Sequence, residues 1–131
     1  MYILDTNTLI YFFKGIGNVN QRLLSVSPKD IGIPSVVVYE LEYGIAKSIS
    51  PKKRQKQLEE FISLVNVLPF SELEAKKSAD IRAKLEKQGT PIGPYDTLIA
   101  GTALAVNGIL VTNNTKEFER VKHLKLENWY E

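Results

Sequence analysis

The chain predicts an α/β domain in which a parallel sheet of four to five strands is covered by helices. Three observations predict it. Short apolar, partly β-branched runs alternate with longer stretches at helical spacing. Such alternation implies helical crossovers between strands, and hence a parallel sheet with both faces covered. No linker, repeat or low-complexity segment interrupts the 131 residues, so residues 1–131 form one domain with one core.

The elements follow in order. "MYILD" is a short buried strand ending in an acid, and "TNTLIYFFKG" a helix stopped near Gly15 and Gly17. "NVNQRLLSV" forms a short amphipathic helix and "DIGIP" a second strand. "SVVVYELEYGIAKSI" has apolar residues at helical spacing, although three successive valines keep a strand open as an alternative. "SPKKRQKQLEEFISLV" is a helix with Ser50 at the N-cap and Pro51 at its first position. "NVLPF" is a third strand. Ser71 and Glu74 then form a capping box for a helix running to Gly89. "PYDTLIAGTALAVNG" is apolar on nearly every side and is therefore a buried helix. "ILVTNN" is a fourth strand, "TKEFERV" a short helix, and "LKLENW" a fifth, edge strand.

Composition excludes several classes. The hydrophobic share is 44% and the charged share 24%, ordinary for a globular protein. No apolar run is long enough to span a membrane, and "MYILDTNTLIYFF" lacks the basic start and cleavage site of a signal peptide. There is no cysteine, which removes disulfides and zinc–thiolate sites. The expectation is a cytoplasmic protein without membrane contact. The net charge of +2 is too small to announce nucleic acid. Two basic stretches, "PKKRQK" (51–56) and "TKEFERVK" with Lys116, Arg120 and Lys122, could meet phosphates or simply face solvent.

In open parallel sheets the functional crevice lies beyond the carboxyl ends of the strands. Asp5 ends the first strand, and Asn113, Asn114 and Glu117 follow the fourth. Asp96 opens the buried helix, and Glu40 lies in the helix after the second strand. Elimination narrows the chemistry. His123 is the single histidine, so a two-histidine nuclease is excluded and a serine–histidine–acid triad has no nucleophile elbow to serve it. Neither a phosphate-binding P-loop nor a dinucleotide fingerprint is present. What remains is a set of oxygen donors: Asp5, Glu40, Asp96, Asn114 and Glu117. Hard oxygen ligands suit Mg²⁺ or Mn²⁺. Carboxylates crowded into one crevice repel and raise each other's pKa. A divalent cation relieves that repulsion and can polarise a phosphodiester and activate water.

Each residue also has a structural reading. Asp5 can cap the helix that follows it, and Asp96 suits the first turn of its helix. Glu40 and Glu42 lie two apart, and spacing does not choose between them. Asn114 and Glu117 have the N-x-x-E spacing of a capping box, the better reading on spacing alone. Thr6, Asn7 and Thr112 are expected to be structural or to support the acids.

Four motifs, in this order and spacing, also carry a resemblance: "YILDTN", "SVVVYELEYG", "GTPIGPYDTLIAGTAL", and "ILVTNNTKEFERV" followed by "LKLENW". With them the chain resembles the PIN-domain ribonucleases, and within these the VapC toxins of bacterial toxin–antitoxin pairs. The resemblance covers essentially the whole chain. It implies a three-layer α/β/α domain and a metal-ligand core of Asp5, Glu40 and Asp96, selecting Glu40 over Glu42. The family's fourth acid is often an aspartate after the fourth strand. Here "TNNTKEFERV" departs from that pattern and offers Asn114 and Glu117. The resemblance further implies a homodimer that cleaves RNA, transfer RNA in many members, with Mg²⁺ or Mn²⁺. It implies a VapB-type antitoxin that places a basic side chain against the acids. The competing reading on the same fold is a non-cleaving module that binds RNA or protein. A fainter echo of a phosphatase motif in "LDTNTL" fails because Asn7 replaces the second acid.

Overall fold

The computed structural model describes residues 1–131. The central sheet contains β1 (Tyr2–Leu4), β2 (Ile31–Pro34), β3 (Asn66–Leu68), β4 (Ile109–Val111) and β5 (Lys125–Glu127). Their spatial order is β3-β2-β1-β4-β5, and every neighbouring pair is parallel. Seven helices connect and cover the strands: α1 (Thr6–Lys14), α2 (Val19–Leu24), α3 (Ser35–Ala46), α4 (Pro51–Ile62), α5 (Glu72–Lys87), α6 (Pro94–Ala105) and α7 (Thr115–Phe118). The covered parallel sheet expected from the alternation and the three-layer α/β/α domain implied by the resemblance are both observed, with five strands and β5 at an edge.

Strand order reverses at β1. The chain first builds outward through β2 and β3, then returns to add β4 on the other side of β1. β1 is therefore central, and Ile3 and Leu4 are wholly buried together with Ile33, Leu110 and Val111. Such continuous apolar strands are what a sheet covered on both faces requires.

The three valines of "SVVVYELEYGIA" form a helix. Val37, Leu41 and Ile45 recur every four residues and all enter the core, and that packing outweighs the local preference of β-branched residues for a strand. α1 ends as expected, with Gly15 at φ 68° and its N–H donating to Phe12 O. Ser71 and Glu74 form the predicted box, the carboxylate accepting from both Ser71 N and Ser71 Oγ at 2.7 Å. Ser50 sits at the N-cap of α4 but makes no side-chain cap bond; its own N–H is taken by Ser48 Oγ at 3.0 Å, and Pro51 alone starts the helix. A 3-10 turn at Pro28–Asp30 leads into β2. It is too short to leave a periodic signal.

α5 and α6 form the most extensive helix pair. Gly101 makes it possible: a Cβ there would come within 2.0 Å of Ser78 Oγ and 2.9 Å of Ser78 N. The close approach seats α6, whose Ile99, Ala100 and Ala103 are buried, against β2 and β4 on either side of the central strand. At the other end, the chain terminus closes over the sheet. Trp129 is buried, its ring 5.3 Å from Tyr2, and Arg22 lies over it at 5.7 Å while pairing with Glu127. No helix is long and apolar enough to cross a membrane.

Candidate metal and phosphodiester site

The site forms where strand order reverses, beyond the carboxyl ends of β1 and β4. Asp5 leaves β1 and caps α1: its Oδ1 accepts from Thr8 N at 2.9 Å, and its own N–H donates to Val111 O. The carboxylate is only 5% exposed. Burial pushes its pKa up, partly offset by hydrogen bonds from Thr112 and Thr8. Capping uses one face of Asp5, so the structural and functional readings of this residue coexist.

Glu40 lies mid-way along α3 and accepts from Thr6 Oγ1 at 2.6 Å. Thr6 follows Asp5 directly, so the first motif positions both its own acid and the acid of the second. Glu42 is exposed and its carboxylate meets Gln55 Nε2 at 3.5 Å, away from the other acids. Geometry therefore separates the two glutamates that spacing could not.

Asp96 occupies the first turn of α6, half-buried. Burial, followed by the charges of Glu117, Asp5 and Glu40, pushes its pKa up to about 7. Protonated, it shares a hydrogen bond with Glu117, whose own pKa is drawn down by Asn114, by the Gly93 N–H and by Arg120.

A linked set of polar contacts joins β4 to α6. Thr112 Oγ1 accepts from Asn114 N at 2.9 Å and hydrogen-bonds Asp5. Asn114 Nδ2 donates to Glu117 Oε2 at 2.9 Å, and Gly93 N donates to Glu117 Oε1 at 3.0 Å. The capping box expected at Asn114 and Glu117 is not formed. Asn114 makes no side-chain cap bond, because its amide is spent on the Glu117 carboxylate, which reaches across to the α6 loop instead. Arg120 Nη1 donates to Pro91 O at 3.0 Å and braces the same loop. Sequence reasoning assigned no role to Gly93 or Pro91. Backbone partners carry no side-chain signature, and only the glycines and prolines around Asp96 hinted at a shaped loop.

Asp5, Glu40, Asp96 and Glu117 thus come to one sheet edge from four different elements, and Asp96 feels all three of the others. No three of them close onto a single ligand point. Three of them are held by their own hydrogen bonds: Asp5 by Thr8 N, Glu40 by Thr6 Oγ1 and Glu117 by Gly93 N. Asn114 stands exposed behind Glu117, orienting it. At the rim, the residues preceding two of the acids pair with each other. Tyr39 and Tyr95 are 54% and 43% exposed, with centroids 5.6 Å apart and hydroxyls at 3.4 Å.

Comparison with known proteins agrees with this geometry. The PIN domain family matches residues 2–124. The chain is 38% identical to the tRNA(fMet)-specific endonuclease VapC of Salmonella typhimurium, over 98% of this chain and 97% of the relative. It is 39% identical to ribonuclease VapC2 of Rickettsia felis, over 98% of each. Among solved structures, VapBC2 of Rickettsia felis bound to a promoter DNA fragment superposes with a TM-score of 0.91 at 38% identity, covering 98% of both chains. DNA-bound VapBC of Salmonella typhimurium gives the same TM-score and identity, covering 98% of this chain and 97% of its own. With the acids standing at the reversal point of a five-stranded parallel sheet, and with matches of this extent, the chain belongs to the PIN-domain family and, within it, to the VapC ribonucleases.

Proposed function

We propose that this endoribonuclease hydrolyses RNA phosphodiesters with a divalent cation, Mg²⁺ or Mn²⁺, held directly or through water by Asp5, Glu40 and Asp96, with Asn114 and Glu117 completing the site. The observation that carries this reading is Asp96. A carboxyl at the mouth of a buried helix, held at about 7 by burial and by three neighbouring acids, is stabilised most simply by a cation. The donors are all hard oxygens, and the chain has no cysteine and no histidine near them, which fits Mg²⁺ or Mn²⁺ and not a softer metal. When bound, the cation would supply charge stabilisation at the scissile phosphate and acidify water.

The residues themselves do the positioning. Thr6 holds the Glu40 carboxylate, and Thr8 N and Thr112 hold Asp5. Glu117, oriented by Asn114, fixes Gly93 and with it the first turn that aims Asp96. Its bonds from Asn114 and Gly93 favour the ionised form of Glu117, so it accepts the hydrogen bond when Asp96 is protonated.

The Salmonella relative is named for transfer RNA, which supports a transfer RNA as this chain's substrate. The solved relatives are VapBC complexes, which supports a VapB-type antitoxin as partner. A basic antitoxin side chain would find the same unbalanced acids that attract the cation. The reading also includes a homodimer, the most frequent closed symmetry for such chains.

The test is cleavage of purified transfer RNA by the wild-type chain and by Asp5→Asn and Asp96→Asn. Both variants should keep the wild-type circular dichroism spectrum and lose at least about 100-fold in rate, on the scale of removing one preorganised electrostatic group. Excess EDTA should abolish wild-type cleavage, and Mg²⁺ should restore it. Full activity in either variant removes the assignment.

A further inference from the structure

We infer that a basic groove between α5 and the turn from α7 to β5 docks the sugar–phosphate backbone of the RNA, away from the scissile bond. This inference rests on the nuclease reading above and deepens it. The groove, of about 680 Å³, lies between α5, the end of α6 and the turn from α7 to β5. Lys77 and Lys84 reach it from α5, and Arg120, Lys122 and His123 from the turn. Asp80 is the single acid lining it and is already paired with Lys84 at 2.9 Å.

Charge distribution gives the groove its meaning. Four lysine and arginine cations against one carboxylate give it a net +3, whereas the whole chain carries +2. The rest of the molecule is therefore net negative by one. Neither Lys77 nor Lys122 has an acidic partner within salt-bridge distance. Both are exposed. Unpaired, exposed cations lining one concave surface are what a polyanion needs and what fold stability does not require.

The groove is linked to the site through Arg120. Arg120 lines it and also donates to Pro91 O, two residues before Gly93, whose N–H is held by Glu117. A strand lying in the groove thus meets Arg120, which braces the loop that presents Asp96. A cluster of acids repels RNA until its cation is bound, so a separate cationic surface is needed to retain the substrate. The sequence shows only one half of the arrangement, the "ERVK" stretch. Lys77 and Lys84 are distant in the chain and join it only through the packing of α5 against α6.

The test is a double charge reversal, Lys77→Glu with Lys122→Glu, which leaves Arg120 and every acid of the site in place. Binding is measured without turnover, in an Asp96→Asn background, by fluorescence anisotropy of a labelled transfer RNA across a range of salt. The reversal should weaken binding at least about tenfold and lower the slope of log affinity against log salt by about 1.4 to 1.8, since each of the two phosphate contacts contributes roughly 0.7–0.9. In the otherwise wild-type chain, KM for transfer RNA should rise with kcat unchanged, while a short oligonucleotide that cannot reach the groove is cleaved at the wild-type rate. Unchanged affinity and slope would overturn the inference and leave the groove to an acidic protein surface. Because the anisotropy readout needs no cleavage, it separates failure of this inference from that of the nuclease reading, which would show as wild-type protein inert towards all RNA with Mg²⁺.

Discussion

At the scale of single residues, Asp96 is where sequence, energetics and chemistry meet. Its folded pKa, about 7, lies above the ordinary 3.8. A carboxyl raised on folding binds its proton more tightly in the native state, so this group costs stability as pH rises through the window from about 4 to about 7. At ~1.4 kcal/mol for each pH unit the ceiling is roughly 4 kcal/mol, which solvent access at a half-buried site reduces to about 1–2 kcal/mol. In EDTA, Asp96→Asn should therefore melt at a higher temperature than the wild type at pH 8, with the difference vanishing near pH 4. A wild type as stable as the variant at pH 8 would contradict the account. The same titration governs the cation. Below about pH 7 a proton must leave Asp96 before metal binds, so Mg²⁺ affinity by calorimetry should fall by up to about tenfold per pH unit there. A flat affinity between pH 6 and 8 would mean that Asp96 is not a ligand.

At the scale of elements, the contact between α5 and α6 determines how the site is aimed. Gly101 allows Ser78 to approach, and a methyl at 101 would meet Ser78 N at 2.9 Å and Ser78 Cα at 3.0 Å as well as the hydroxyl. Relief therefore requires backbone movement. Gly101→Ala should cost about 2 kcal/mol, in the range for overpacked cores, visible as a lowered urea midpoint. Ser78→Ala should be neutral or slightly stabilising, because Ser78 Oγ is buried without a hydrogen-bond partner. Adding Ser78→Ala to Gly101→Ala should recover only part of the loss, since the backbone contacts remain. Recovery to wild-type stability would show that only the hydroxyl obstructs. Element types were legible because each helix carries period and punctuation: Gly15 ending α1, Pro51 opening α4, Ser71 and Glu74 opening α5. The valine run of α3 was ambiguous for a physical reason. Local preference and helical period disagreed there, and only burial of Val37, Leu41 and Ile45 decides.

At the scale of the whole molecule, closure depends on the C-terminal segment. Trp129 packs on Tyr2 of the central strand, its Nε1 donates to Glu127 at 2.9 Å, and Tyr130 packs on Tyr11 at 4.9 Å. Trp129→Ala should cost about 3–5 kcal/mol, as for other buried aromatic truncations. Thermal melting should show that loss as one cooperative shift, because the sheet order ties both chain ends to the same core. Two separate transitions would instead make the terminal strap an independent unit.

The sequence alone determined the α/β class, the order of elements and the identities of Asp5, Glu40, Asp96, Asn114 and Glu117 as candidates, because period, punctuation and residue chemistry are local properties. It left open which of Glu40 and Glu42 faces the other acids, and only the resemblance selected Glu40. Tertiary structure decided that Thr6 binds Glu40, that Asn114 serves Glu117 and not a helix cap, that Glu117 pins Gly93, and that Lys77 joins Lys122 in one groove. Those pairings span up to dozens of residues, and a contact between distant side chains exists only once the sheet has chosen its order.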